Sequence, residues 1–314
     1  MQNNKLNFVF FGTPDVASET LEILKQAGFI PSLIVTAPDA KSGRGLQMQV
    51  SPVALFAEEN KILCLKPEKL TKEELGDVFG TLGRSGDDGQ RKFLAENFRG
   101  DKNIPELFLV VAYGKILGED IINMPKLGSV NIHYSLLPKY RGASPVESAI
   151  LNGDKKTGIT IQKMEYKMDT GPILAVEKTD ILKDEKAEDL KKRLIKIGGE
   201  LLVKIINTTP SPSGYSPLSG GDLMPQDESQ ATYCKKIKKE DGLVNLNDLE
   251  AKLPKELYNK FRAYYKWPRT FFFQENKRVI ITDAELIEDK FIIKKVLPES
   301  KREITWEEFQ KQTK

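Results

Sequence analysis

The chain has 314 residues, 39% of them hydrophobic and 30% charged, which allows a buried core and room for two domains of the usual ~100–200 residues. No run approaches the ~18 consecutive apolar residues of a membrane span, and the first residues lead into a strand pattern with no basic and apolar leader. The net charge of +3 is uneven: residues 231–314 carry 19 Lys and Arg against 14 Asp and Glu, while the first 230 carry 29 against 31.

In chain order, Leu6 to Phe11 reads as a buried strand, and Gly12 to Asp15 as a turn. Val16, Thr20, Leu21 and Leu24 recur at helical spacing until Gly28. Strands follow at Leu33 to Val35 and Ile62 to Leu65, with a short helix at Pro52 to Glu59 between them. Leu107 to Ala112 is the longest apolar strand, and Ser129 to Ile132 is another. A helix is expected over Pro145 to Leu151, strands over Ile159 to Met164 and Ile173 to Val176, and a long amphipathic helix over Lys186 to Ile206. Such alternation predicts an α/β domain with a parallel-rich sheet over residues 1–208. A polar, Gly-rich insertion interrupts it at about 78–104.

Residues 209–230 are rich in Pro, Ser and Gly and read as a linker of low structure content. Beyond it, short strands at Thr270 to Phe273, Val279 to Thr282 and Phe291 to Val296, with a helix at Leu253 to Tyr264, predict a small β-rich domain over residues 231–314.

Two cysteines, Cys64 and Cys234, lie far apart and suggest no disulfide framework, so a reducing cytoplasm is the expected setting. A single histidine, His133, excludes His-rich zinc sites, and with two cysteines it argues against a Cys/His structural zinc, while a carboxylate-bound magnesium stays open. Ligands of open α/β sheets bind outside the carboxyl ends of the strands, which here means the turns after Phe11, Ala112 and Ile132. Asn131 and His133 stand two apart at such an end and point to one side. An amide donor beside an imidazole suits a developing oxyanion; a loop-capping histidine is the plainer alternative. Asp169, before Thr170 and Gly171, is a carboxylate able to orient His133, or a solvated turn residue.

The turn at Gly12 lacks the spacing of a phosphate cradle, so Gly12 is expected simply to turn the chain. Lys41 and Arg44 sit on a basic loop placed to meet an anion. Lys235, Lys236, Lys238 and Lys239 form a dense basic run, and Arg262, Lys266 and Arg269 interleave with Tyr264, Tyr265 and Trp267. Basic charge with aromatics suits RNA; an aromatic cluster covered by lysine stems is the alternative.

Asn131 and His133, then Ser135 to Gly142, then Asp169 to Gly171 together resemble the signature of the 10-formyltetrahydrofolate-dependent formyltransferases. Phe11 to Asp15, Pro38 and Asp39, Gly43 to Gly45, Ser51 to Val53, Val110 to Gly114, Pro225 to Ser229, Ala231 to Tyr233, and Trp267 and Pro268 extend the likeness to the methionyl-tRNA formyltransferases. The resemblance implies a Rossmann-like catalytic domain, a linker and an OB-like barrel that helps hold tRNA. It implies formyl transfer from 10-formyltetrahydrofolate to the methionine amine of initiator tRNA, by a monomer without a metal. Asn131, His133 and Asp169 would be catalytic. Ser135, Leu136, Leu137 and Pro138, with backbone groups around Tyr113, Lys115 and Leu117, would meet the folate. Arg44 and Lys41 would meet the acceptor end of the tRNA, with Lys235, Lys236, Lys238, Arg262 and Arg269 as further contacts. Leu46 and Gln47 replace the lysines usual after the Gly-Arg-Gly of this family, and Tyr134 stands where glycine is common. A formyltransferase for glycinamide ribonucleotide or an amino sugar nucleotide, and a non-catalytic RNA- or folate-binding protein, are the competing readings.

Overall fold

A computed structural model describes residues 6–42, 47–80, 105–208, 223–245 and 254–312. The first strands are β1 (Phe8–Gly12), β2 (Leu33–Val35), the hairpin β3 (Ala40–Ser42) and β4 (Gln47–Gln49), and β5 (Cys64–Leu65). Helices α1 (Asp15–Gln26), α2 (Pro52–Glu59) and α3 (Lys72–Gly80) accompany them. Next come β6 (Leu107–Val111), α4 (Glu119–Ile122), β7 (Ser129–His133), β8 (Arg141–Gly142), α5 (Pro145–Leu151), β9 (Lys156–Lys163), β10 (Ile173–Asp180) and α6 (Ala187–Asn207).

Seven of these strands form one Rossmann-like sheet in the order β10-β9-β7-β6-β1-β2-β5. From β7 to β5 every pairing is parallel, and β9 joins β7 antiparallel. Every residue of β1 and β6 is buried. That is the physical reason both read as unbroken apolar runs: helices cover a parallel sheet on both faces. On one face Val9, Phe11, Leu33, Val35, Phe108 and Val110 pack with Leu75 and Phe79 of α3. Ser51 starts α2 by accepting a hydrogen bond from the Ala54 amide at 3.1 Å, with Pro52 in the first turn.

The strand ending at Ile132 by the sequence pattern continues to His133, which pairs with Thr160. Of the insertion expected at about 78–104, residues 78–80 lie in α3, and residues 81–104 lie outside the described ones. The end of the expected linker also differs. Met224 bridges Ile173 with backbone hydrogen bonds in both directions, and Glu228 to Gln230 form a 3₁₀ turn. Residues 209–222 lie outside the described ones.

By contacts the chain separates into two compact units. One comprises Met1–His133, Ile159–Glu177 and Ile195–Glu228; the other Tyr134–Gly158, Lys178–Leu194 and Ser229–Lys314. In the second, β11 (Tyr233–Cys234) pairs with β8, and α7 (Pro254–Ala263) packs on α5. The strands expected as an OB-like barrel, β12 (Phe271–Gln274), β13 (Lys277–Ile287), β14 (Lys290–Pro298) and β15 (Ile304–Thr305), form a four-stranded antiparallel sheet in that order. No pairing of β12 with β15 closes it among the described residues. A last helix, α8 (Trp306–Gln312), absent from the sequence reading, adds Phe309 to a core with Leu257, Phe261, Phe272 and Val296.

Within the first unit, α6 lies close to β7, β9 and α1 because it carries adjacent glycines. A Cβ at Gly198 would touch Ile132 and Ile159, and one at Gly199 would lie 2.7 Å from Ile23 Cδ1. For Gly199→Ala, overpacking of ~1–3 kcal/mol outweighs the ~1 kcal/mol gain in helix propensity. Urea unfolding of Gly199→Ala, Ile23→Ala and the double variant should show destabilisation by the first, with the double variant losing less than the two single losses together.

Candidate active site

Strand parity sets the first part of the site. Ile132 faces α6, so its neighbours Asn131 and His133 project from the opposite face of β7. Asn131 lies opposite Val110 on β6 and Gln162 on β9. Its Nδ2 donates to the Val110 carbonyl at 3.1 Å. One amide hydrogen is thereby anchored to the sheet, and the amide has a second. His133 is 5% exposed.

Asp169 arrives on the loop between β9 and β10, with φ of 55°. Aspartate is among the few non-glycine residues that tolerate this left-handed backbone. Two residues on, Gly171 passes against the Lys163 backbone, where a Cβ would collide with the Lys163 carbonyl oxygen. The turn brings Asp169 Oδ1 to 3.6 Å from His133 Nδ1. That is longer than a good hydrogen bond. Gln162, 2% exposed, donates from Nε2 to the same Oδ1 at 3.0 Å. Gln226 donates from Nε2 to the carbonyls of Asp169 at 2.9 Å and Gly171 at 2.7 Å. Neither glutamine stood out as a site residue in the sequence. The only hint was that Gln226 falls in the matched stretch Pro225 to Ser229.

A cavity of about 320 Å³ opens beside these groups. Ile116, Leu117, Ile122 and Met164 give it apolar walls, and Asn131, Gln162 and Asp169 give it polar edges. Its size lies at the low end of ordinary ligand pockets. The combination fits a planar heteroaromatic head group with hydrogen-bonding edges. The Lys115 stem lines the cavity, but its ammonium donates to the carbonyls of Pro67 at 2.8 Å and Glu68 at 2.6 Å. The Tyr113 side chain is core: it is 3% exposed and packs edge-on to Phe11 at 5.6 Å. Its carbonyl accepts the Thr13 hydroxyl at 3.0 Å, while Thr13 Oγ1 accepts the Ala37 amide at 3.2 Å. The turn after β1 thus ties together the loops after β1, β2 and β6.

The other expected residues are placed as follows. Ser135, Leu136, Leu137 and Pro138 belong to the second unit, where Ser135 Oγ donates to the Lys139 carbonyl at 2.6 Å. Lys41 is on β3, and Arg44 lies outside the described residues. Lys235, Lys236, Lys238 and Arg269 are on the second unit; the three lysines are exposed, and Arg269 has φ of 69°. Arg262 is turned into the protein. It is 9% exposed, donates to Asn259 Oδ1 at 2.7 Å and the Glu185 carbonyl at 3.2 Å, and lies over the Tyr258 ring at 5.4 Å. Amphipathic spacing marks which face of α7 is polar, but not which cation that face buries. Burial lowers this guanidinium's pKa from its ordinary value. Among the described residues no group of three or more His, Cys, Asp or Glu could hold a metal ion, and no helix is long and apolar enough to cross a membrane.

The chain belongs to the formyl transferase family. Residues 5–206 match the family described as formyl transferase, and residues 236–295 match its formyl transferase C-terminal domain. The methionyl-tRNA formyltransferase of Thermotoga sp. (strain RQ2) is 36% identical over 276 residues, covering 87% of this chain and 77% of that protein. That of Thermus thermophilus is 34% identical over 275 residues, covering 87% and 78%. The solved methionyl-tRNA formyltransferase from Clostridium thermocellum shares the fold with a TM-score of 0.55 at 18% identity, covering 93% of this chain and 98% of that one.

Because the Lys163 carbonyl is backbone, no rotamer change can relieve a Cβ at Gly171. Gly171→Ala is expected to lower stability by about 1–3 kcal/mol in urea unfolding.

Proposed function

We propose that this enzyme passes the formyl group of 10-formyltetrahydrofolate to the methionine amine of initiator methionyl-tRNA. The observation that carries this reading is the meeting of Asn131 and Asp169 on the wall of one cavity, with His133 3.6 Å from Asp169. The relatives' shared name gives the acceptor.

The amine nitrogen would attack the formyl carbon, and the bond from that carbon to the folate N10 would break, N10 taking up a proton as tetrahydrofolate leaves. Asn131 directs its second amide hydrogen at the formyl oxygen, where negative charge develops. His133, its Nδ1 turned to Asp169, serves the same oxygen from Nε2. Each such donor is worth ~10²–10³ in rate. Asp169, directly or through water, takes the proton the amine sheds, for ~10²–10⁴ more. The 3.6 Å separation is consistent with this role, since catalytic hydrogen bonds often tighten only with substrate bound.

The apolar walls at Leu117 and Ile122 would hold the folate head group. Ser135, Leu136, Leu137 and Pro138 are kept as folate-contacting residues on the resemblance of their motif alone. Lys115 serves by pinning residues 67–68 beside the cavity, and Tyr113 by its backbone. On the tRNA side, Lys41, Arg44, Lys235, Lys236, Lys238 and Arg269 meet the RNA. Arg262 is omitted because it is buried. The enzyme works as a monomer in the cytoplasm.

Formylation of charged initiator tRNA tests this directly. His133→Ala and Asn131→Ala should each lose roughly 10²–10³-fold in kcat while still binding folate in a fluorescence titration; unchanged turnover would remove the altered residue from the mechanism. For tRNA binding, replacing Lys235 and Lys236 with Ala should flatten the slope of log Kd against log salt by about 0.7–0.9 per lysine. An unchanged slope would take the pair off the RNA surface.

A further inference from the structure

We infer that Gln226, acting through Gln162, is a positioning residue that holds Asp169 against His133. The inference rests on the roles just given to Asp169 and His133.

Gln226 lies between the two family-matched segments, in a stretch whose composition reads as linker. One atom of its side-chain amide is 2.9 Å from the Asp169 carbonyl oxygen and 2.7 Å from that of Gly171. Backbone carbonyls only accept, so this atom must be the amide nitrogen. The same nitrogen is 3.3 Å from the Gln162 amide oxygen, and having only two hydrogens it reaches that oxygen by sharing one with a carbonyl. Gln162 is left with one orientation, its nitrogen toward Asp169 Oδ1 at 3.0 Å. Oδ1 is also the oxygen nearest His133 Nδ1, at 3.6 Å.

Two amides thus link the end of the linker to the imidazole, and each link fixes the orientation of the next. Gln162 is 2% exposed and sits opposite Asn131 in the sheet, so its end of the chain is rigid. Gln226 is the end contributed from far along the sequence. It holds the carbonyls on both sides of Thr170 in a turn that includes a left-handed aspartate. Without Gln226 the Asp169 backbone loses these two hydrogen-bond contacts of its turn, and the Gln162 amide loses this neighbour. The composition of 209–230 conceals this, because a single glutamine side chain makes these contacts.

The test uses the full-length protein as Gln226→Met, Gln162→Met and the double variant. Methionine keeps the length and removes the amide. Formylation kinetics on methionyl-tRNA are read alongside hydrogen exchange at the Thr170 amide and thermal unfolding. Each single variant should lose roughly ten- to a hundredfold in kcat, with both KM values within about twofold of wild type. The double variant should fall no more than about threefold below the weaker single, because both residues act through Asp169. In Gln226→Met, exchange at Thr170 should rise at least about tenfold. Full kcat with unchanged exchange overturns the inference, and multiplicative losses in the double variant overturn the linkage. If Gln226→Met does not fold, Gln226→Glu decides by the same readouts, since it keeps the shape and turns an oxygen toward both carbonyls. A wild-type protein unable to formylate methionyl-tRNA sinks the functional reading instead, and the exchange data still decide whether Gln226 positions the loop.

Discussion

The site depends on how one carboxylate is held. Asp169 stands on a loop, where side chains are ordinarily mobile, yet it must face a histidine fixed in a sheet. The structure meets this demand from both sides of the residue. Gln162 holds its Oδ1 from the neighbouring strand, and Gln226 holds its backbone from a distant segment. Gly171 lets the turn close against Lys163. The left-handed backbone at Asp169 is tolerated because its surroundings over-determine it.

The second half of the site follows from the sheet. One face of β7 is taken by α6, which approaches closely through Gly198. Asn131 and His133 are left on the other, and the Val110 carbonyl anchors the amide. Polar groups held by a rigid strand need little reorganisation as charge develops, which is where electrostatic catalysis gains most. The cavity beside them offers apolar walls and polar edges from the same elements. The cavity walls and the proposed reacting groups are therefore set by one framework.

Much of this was legible in the sequence. β1 and β6 announce themselves because strands buried on both faces cannot alternate. His133 is conspicuous as the one imidazole in the chain, placed at a strand end. What stayed hidden depends on contacts between residues far apart in sequence. Gln162 looks like an ordinary polar strand position, and Gln226 like part of a loose linker. Lys115 and Arg262 carry the charge expected of ligand-binding residues, but direct it at carbonyls and an amide within the protein. Helix α8 escaped because its seven residues are too few for a clear periodic signal. The C-terminal strands were recognisable, but the pattern within a strand does not reveal whether a sheet closes.

The central claim is that this constellation formylates methionine carried on tRNA. The most direct measurement is a competition in one reaction mixture. Labelled 10-formyltetrahydrofolate would be supplied with charged initiator tRNA, glycinamide ribonucleotide and an amino sugar nucleotide together. The account predicts that the label collects on methionyl-tRNA. Label on the amino sugar or the ribonucleotide, with none on methionyl-tRNA, would contradict it.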